Sequence, residues 1–351
     1  MRSIKLVCHT LLLTIVFAYG IFVGKYKWFP FDQLKVFKKT VKNFRKSNND
    51  NLLFELAKTN NIQINYGLEG LKSISSSQDS DSLKVISFGD SEFKDMKGFL
   101  NSVNLQSSSL IIHVGDVLIH GGSQCTDSRI NHQLNLMNNL NTSVLYTPGD
   151  NEWRDCRDKE KGDMHNLERL AYIRKTYFAQ DKTLGKNPSI VENQRIRGYP
   201  ENARLMIKKI AFITAHNIGS NNNFDFYSKE NISEYLKRDA ANIDWIKESF
   251  ERYKDAEAYV VVTHADIFSN KKTPIFYEKF ATTLLELSNK YKRQVLLLNG
   301  NKEQFSSFKP RSRQFPYLHV ITNFGDANVK AILIEINPSK KIPFNVIKLI
   351  D

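Results

Sequence analysis

Five polar segments of this 351-residue chain each follow a short apolar stretch typical of a buried strand. Each segment supplies an acid, a histidine or an amide. In layered α/β folds the loops after the carboxyl ends of strands meet at one edge, where ligands bind. A single Gly-Asp pair indicates only a turn, but five such loops together indicate a binding or catalytic site. The segments are centred on Asp90, Asp116, Asp150, His264 and 300–303.

Alternating strand and helix patterns would position these residues. The predicted strands are 83–88, 109–114, 143–147, 210–215, 258–263 and 294–299. Helical periodicity lies between them, at 133–140, 167–178, 232–253 and 277–291. This alternation predicts an α/β layered fold. Three further apolar stretches have no helix between them and predict antiparallel strands, at 317–322, 329–336 and 344–350.

The order of the polar segments resembles the calcineurin-like metallophosphoesterase superfamily over roughly residues 83–349. That family has the blocks Asp-x-His, Gly-Asp, Gly-Asn-His-Asp/Glu, a lone His and Gly-His-x-His. The segment YTPGDNEWRDC at 146–156 is similar to a bacterial subfamily of predicted phosphoesterases with a Pro-Gly-Asp-Asn-Glu-Trp block. The resemblance implies a two-sheet sandwich flanked by helices, a two-metal site and hydrolysis of a phosphoester whose identity stays open.

The resemblance also implies a set of metal ligands. Asp116 would bridge two divalent ions, Asp90 and Asp150 would each hold one, and His264 would add a nitrogen to the second. Glu303 stands where the family has a further ligating histidine. The metal pair would activate a water and bind phosphoryl oxygens, so the catalysis would be largely electrostatic.

The sequence departs from the family because only His264 remains of five expected histidines. Glu92, Asn151, Asn301 and Glu303 stand at the other four places. The resulting ligand set is rich in oxygen, which favours Mn or Mg and leaves Zn, Fe and Ca open.

Two residues are candidates for a catalytic role. Asn151 stands at the position of the family's phosphate-contacting histidine; its amide can donate a hydrogen bond but cannot deliver a proton at neutral pH. His216 ends a predicted strand at the same edge, just before a Gly-Ser-Asn segment, where it can contact substrate or metal. Packing within the protein is the alternative for His216.

The N-terminal residues indicate a membrane-directed segment. Residues 6–24 form a 19-residue uncharged run; as a helix it would span roughly 28 Å. Residues 1–24 are therefore interpreted as a signal peptide or a membrane anchor. Residues 25–46 interleave aromatic residues with lysines, which suits a membrane surface or a solvated linker, and a linker extends to residue 82. The folded domain is predicted over 83–351.

Charge and cysteines bear on partners and location. Residues 1–46 carry +9 of the net charge of +13, so the body is nearly neutral and no nucleic-acid partner is expected. Cys125 and Cys156 are the body's two cysteines, in loops placed at the same edge, and we predict a disulfide between them. A disulfide favours an exported, periplasmic or extracellular body, whereas the basic flank favours a cytosolic one.

Two functions follow from these observations. One is a metal-dependent phosphoesterase acting outside the cytoplasm. The other is a catalytically degenerate binding module with the same fold, tethered to the membrane through residues 6–46. The missing histidines favour the second function, whereas the four polar residues retained from the family pattern and the complete PGDNEW segment favour the first.

Overall fold

The computed structural model describes residues 82–91, 97–118, 124–268, 273–302, 304–325, 328–340 and 343–350. A first sheet has five strands: β1 (Leu83–Phe88), β2 (Leu110–His113), β3 (Val144–Tyr146), β11 (Ala331–Ile336) and β12 (Phe344–Ile350). Their order in the sheet is β12-β11-β1-β2-β3. β1, β2 and β3 are parallel, and β11 is antiparallel to both β1 and β12. The loops after β1, β2 and β3 therefore lie at the same end of the sheet.

The second sheet has seven strands: β4 (Glu192–Gln194), β5 (Tyr199–Ile207), β6 (Ile210–Thr214), β7 (Ala258–Val262), β8 (Gln294–Asn299), β9 (Ser306–Phe308) and β10 (Leu318–Thr322). Their order is β4-β5-β6-β7-β8-β10-β9. β6, β7, β8 and β10 are parallel neighbours. The loops after β6, β7 and β8 consequently share one end of this sheet.

Among the described residues, the helices of eight or more residues cover the sheets: α1 (Lys97–Asn104), α2 (Asp127–Asn138), α3 (Asn166–Tyr177), α4 (Lys229–Arg252) and α5 (Glu278–Tyr291). α2 begins after Thr126 and α4 after Ser228, and each of these side chains accepts a hydrogen bond from a first-turn N–H. Such caps satisfy backbone donors that have no partner within the helix.

The alternation of side chains along the strands explains the layers. Leu83 and Val85 of β1 lie in the apolar core between the two sheets, whereas Ile86 and Phe88 point to the outer core under the first three helices. Because neighbouring side chains in a strand point to opposite faces, a strand with apolar residues on both faces contacts both cores. α4 and α5 cover the other sheet in the same way, and Phe250 of α4 stacks on Tyr259 of β7 with ring centroids 4.1 Å apart.

The predicted α/β fold with two sheets flanked by helices is confirmed for the described residues. One strand assignment was wrong: β10 lies in the seven-stranded sheet, parallel to β8 and antiparallel to β9, and only β11 and β12 pair antiparallel with each other among the three C-terminal stretches. The expectation that the polar loops share one sheet edge is also wrong. The loops lie at the ends of two different sheets, which together form the site.

Several sequence predictions fall outside the described residues. These are the N-terminal apolar helix within 1–24, the basic aromatic segment, nearly all of the linker to residue 82, Glu92 and Glu303. Among the residues that the structure does describe, none of the helices is both long and apolar enough to cross a bilayer.

Candidate metal centre

The loops after β1 and β2 turn sharply and direct two carboxylates toward each other. Asp90 and Asp116 have φ angles of 47° and 55°, in the left-handed region that Asp tolerates better than most residues. The two turns are tied together, because the Asp90 N–H donates to the carbonyl of Gly115 and the Ser91 N–H donates to the carbonyl of Asp116, both at 2.9 Å. Backbone hydrogen bonds alone thus fix the relative positions of Asp90 and Asp116.

His264, after β7, joins these acids from the other sheet. One ligand atom each of Asp90, Asp116 and His264 lies within 4.8 Å of the others, and all three residues are buried. Asp150, after β3, completes the cluster, with its Oδ1 2.9 Å from Nε2 of His264. The structure therefore brings together four of the sequence-predicted ligands. We call Asp90, Asp116, Asp150 and His264 the candidate metal centre.

The orientation of the His264 ring suits metal ligation. Its Nδ1 lies 2.8 Å from the carbonyl oxygen of Val114, which can only accept a hydrogen bond, so Nδ1 is the donor. Nε2 then faces Asp150 at 2.9 Å and Asp116 at 3.4 Å. Metal-binding histidines commonly donate their other ring N–H to a carbonyl or carboxylate, which fixes the tautomer.

Glycines allow the loops to approach this closely. A Cβ atom on Gly149 would lie 2.0 Å from Oδ1 of Asp116, and one on Gly300 would lie 2.6 Å from Oδ2 of Asp90. Both distances are far below a van der Waals contact. Any side chain at either position would displace a carboxylate of the centre.

The charged groups of the centre shift one another's pKa values. Burial raises the pKa of Asp116 well above its ordinary value, and the nearby carboxylates raise it further against the effect of His264. Burial alone would lower the pKa of His264, but Asp116, Asp150 and Asp90 together raise it well above its usual range. Three buried carboxylates facing one imidazole repel one another, and a divalent cation would relieve that repulsion.

The donor set fits a divalent metal ion. Asp90, Asp116 and Asp150 offer hard oxygen atoms, and His264 offers Nε2 with its tautomer fixed by Val114. Oxygen-rich sites with one imidazole suit Mn or Mg. The chemistry of the donors and their spacing are therefore compatible with the predicted metal, although the role of each ligand stays a prediction.

The segment after β8 reaches the centre through its backbone. The N–H of Asn301 donates to Oδ2 of Asp90 at 2.6 Å, and the φ angle of Asn301 is 64°. Lys302, the next residue, forms an ion pair with Asp266. This segment thus orients one proposed ligand, and Lys302 already has a carboxylate partner.

The two catalytic candidates are both held by protein contacts. The side chain of Asn151 donates to the carbonyl of Leu118 at 3.0 Å and accepts from Nζ of Lys161 at 2.8 Å. Nδ1 of His216, a fully buried residue, lies 2.9 Å from Glu201, and its ring is 5.6 Å from that of Trp153. Contact with substrate stays a prediction for both residues.

The PGDNEW segment contains an anchor that sequence reasoning did not single out. Oε1 of buried Glu152 accepts hydrogen bonds from the Val117 N–H and the Tyr146 hydroxyl, each at 2.9 Å. Val117 directly follows Asp116, so Glu152 fixes the loop that carries the proposed bridging ligand. The acidic residue that follows Asp150 and Asn151 in the motif was the available clue.

A disulfide joins the loop after Asp116 to the same segment. Cys125 and Cys156 are bonded, as predicted. Both residues are fully buried. The backbone of Cys125 also contacts its surroundings, since its N–H donates to the Lys161 carbonyl and its carbonyl accepts from Arg169. The bond therefore connects two of the loops that form the candidate metal centre.

Comparisons with solved structures give several distant similarities, of which one is a phosphatase. A dimetal phosphatase from Danio rerio aligns with 9% identity and a TM-score of 0.41, covering 72% of this chain and 95% of the other. No protein-family model and no curated protein matches the chain. The proposed activity rests on the candidate metal centre and not on this similarity.

Proposed function

We propose that this protein is a metal-dependent phosphoester hydrolase. The observation that carries the proposal is the convergence of Asp90, Asp116 and His264 within 4.8 Å, with Asp150 against His264. The order of these residues along the chain, each after a strand, is the order in the family that the sequence resembles. The type and spacing of the donors agree with a centre for one or two divalent ions, with Mn or Mg favoured.

A bound divalent ion supplies a Lewis acid that lowers the pKa of water and attracts phosphoryl oxygens. The protein has to hold the ligand side chains in fixed positions. Asp116 receives the Asn151 N–H at 3.0 Å and Asp90 receives that of Asn301, so each carboxylate is oriented from a neighbouring loop. Such preorganised groups lower the cost of rearrangement during the reaction.

Hydrolysis of synthetic phosphoesters tests the proposal. The full chain is assayed with p-nitrophenyl phosphate and bis-p-nitrophenyl phosphate in the presence of Mn²⁺ or Mg²⁺. We expect release of p-nitrophenol that chelation with EDTA abolishes and Asp116→Asn greatly reduces. Activity that survives both treatments would contradict the proposal, and Lys159→Ala, at an exposed lysine in the same region, serves as the control.

We further propose that the domain acts outside the cytoplasm and is attached to the membrane through residues 6–46. The disulfide between Cys125 and Cys156 supports the location, because such bonds persist mainly in oxidising compartments. The uncharged run supports the attachment. Cell fractionation with protease protection tests both points, and full-length protein in the soluble cytosolic fraction would contradict them.

One observation favours the second function, a catalytically degenerate binding module with the same fold. The amide of Asn151, at the place of the family's catalytic histidine, is engaged with Leu118 and Lys161. A module of this kind would bind Mn²⁺ weakly or not at all and would release no p-nitrophenol. Binding and hydrolysis measured on the same preparation distinguish the two functions.

A further inference from the structure

The turn after β6 places a serine against the candidate metal centre. The Ser220 hydroxyl donates a hydrogen bond to Oδ2 of Asp150 at 2.5 Å. The other oxygen, Oδ1, lies 2.9 Å from Nε2 of His264. Both oxygens of the Asp150 carboxylate are therefore oriented by protein contacts, one from the serine and one from the imidazole.

The turn has an uncommon backbone conformation. Four consecutive non-glycine residues, 220–223, have φ angles between 50° and 65°. The left-handed region is unfavourable for residues with a Cβ atom, and a run of them is rarer than a single one. A conformation of this kind persists only where the surrounding structure imposes it, and it is found most often at functional sites.

Arg238 of α4 imposes the conformation. Its buried guanidinium donates to the carbonyl of His216 at 2.7 Å, to Oδ1 of Asn222 at 2.6 Å and to the Asn222 carbonyl at 3.0 Å. Glu234 forms an ion pair with this guanidinium, with Oε1 2.6 Å from Nε of Arg238. Its other oxygen accepts a hydrogen bond from the side chain of Asn223 at 2.9 Å. Two residues of α4, Glu234 and Arg238, thus hold the turn in place through hydrogen bonds.

The turn also fits tightly against the centre on its other side. A Cβ atom on Gly219 would lie 2.7 Å from Oδ1 of Asp150 and 2.2 Å from Oδ1 of Asn301. A larger residue at 219 would push the turn away and separate Ser220 from its carboxylate partner. Gly219 and the two α4 residues together therefore maintain the contact between Ser220 and Asp150.

We propose that Ser220 is a positioning residue, which holds Asp150 in the orientation that binds a metal ion. This inference rests on the proposed function of the same centre. A hydroxyl that donates to a carboxylate fixes its rotation and leaves the remaining lone pairs for the metal. Outer-shell partners of this kind change metal affinity by about 10–100-fold when they are removed.

Ser220→Gly is the most informative variant, because it removes the hydroxyl and relieves the left-handed backbone at once. Isothermal titration of the full chain with Mn²⁺ alone should show a Kd raised by about 10–100-fold. The melting temperature of the metal-free variant should equal or exceed that of the wild type. A merely structural serine predicts a lower melting temperature and an unchanged Kd.

Two further variants separate the causes. Asn221→Gly relieves the same backbone region, at φ 57°, on an exposed residue, and its Kd for Mn²⁺ should equal that of the wild type. Ser220→Ala removes the hydroxyl without adding glycine flexibility, and its Kd should rise like that of Ser220→Gly. A wild-type Kd in both Ser220 variants would overturn the inference and leave the proposed function standing. A wild type that binds no Mn²⁺ would instead contradict the proposed function, and this inference with it.

Discussion

Nε2 of His264 lies 2.9 Å from Oδ1 of Asp150, although the two residues follow strands of different sheets. The contact forms where the carboxyl ends of β3 and β7 meet, so it exists only when both sheets are packed against each other. Each sheet alone carries an incomplete set of ligands. The candidate metal centre is therefore a product of the sandwich, and metal binding should depend on its integrity.

Mn²⁺ should stabilise the folded domain, and Asp116→Asn should remove most of that effect. An ion at 100 times its Kd adds about 2.7 kcal/mol to the free energy of unfolding. Asn tolerates the φ angle of 55° at this position, so the variant should fold. Without metal it should be at least as stable as the wild type, because burial raises the pKa of the Asp116 carboxyl and disfavours its charge. Thermal melts with and without Mn²⁺ measure this; an equal shift in the variant would rule out the bridging role.

Glu152 should be needed for the geometry of the loop rather than for its charge. Glu152→Gln keeps an oxygen acceptor for the Val117 N–H and the Tyr146 hydroxyl, and should retain most stability and metal affinity. Glu152→Ala leaves both buried donors without a partner and should lower the free energy of unfolding by about 1–3 kcal/mol. Urea denaturation and Mn²⁺ titration of the pair provide the comparison. Equal losses in both variants would show that Glu152 acts through its charge.

The disulfide should contribute substantially to stability. Cys125 and Cys156 are 31 residues apart, and closing such a loop stabilises by about 3–4 kcal/mol in the loop-entropy model. The double variant Cys125→Ser, Cys156→Ser should unfold at a correspondingly lower urea concentration. Alkylation of protein from its native host followed by mass spectrometry shows whether the bond forms there. Two free thiols would contradict both the bond and the proposed location.

A half-buried histidine of β10, His319, should make stability depend on pH. Burial, helped by Lys309, lowers the pKa of His319 to about 4. The unfolded chain takes up a proton near pH 6.5, whereas the folded chain does so only near pH 4. The free energy of unfolding should therefore fall as the pH drops through this window, by up to about 1.4 kcal/mol per pH unit for one histidine.

His319→Gln isolates this contribution, because Gln can still contact Ser307, whose hydroxyl lies 2.9 Å from Nε2 of His319. Burial also lowers the pKa of His216 to about 4, and that share of the pH dependence should persist in the variant. Urea unfolding between pH 4 and 6.5 should give a shallower slope for the variant than for the wild type. Parallel curves would show that His319 does not titrate differently on unfolding.

Hydrophobic periodicity was sufficient to predict the strands that are buried on both faces. β1 and β8 occupy the ranges expected, because apolar residues dominate both stretches and most of their side chains are buried; only Lys84 of β1 is exposed. β5 was missed, since its Pro-Glu-Asn-Ala-Arg sequence lacks both an apolar run and a regular alternation. Its polar residues are accommodated by specific partners, such as Arg174 for Glu201, which a local pattern does not encode.

The site was predictable to the extent that topology determines it. Asp90, Asp116 and Asp150 follow parallel neighbouring strands, and so share one end of a sheet whatever their side chains do. The contact between Ser220 and Asp150 was not predictable. It depends on a left-handed turn that Arg238 of α4 holds in place. Interactions between distant segments decide such details.

The claim that the four residues hold a divalent ion can be tested most directly by anomalous diffraction from crystals of the full chain grown with Mn²⁺. Data collected on both sides of the manganese absorption edge locate the ion without reference to activity. We predict a peak within ligand distance of Asp90, Asp116 and His264, or of Asp150 and His264, and its loss in Asp116→Asn crystals. Crystals grown with Mn²⁺ that show no anomalous peak at the candidate metal centre, with His264 still paired to Asp150, would contradict the account.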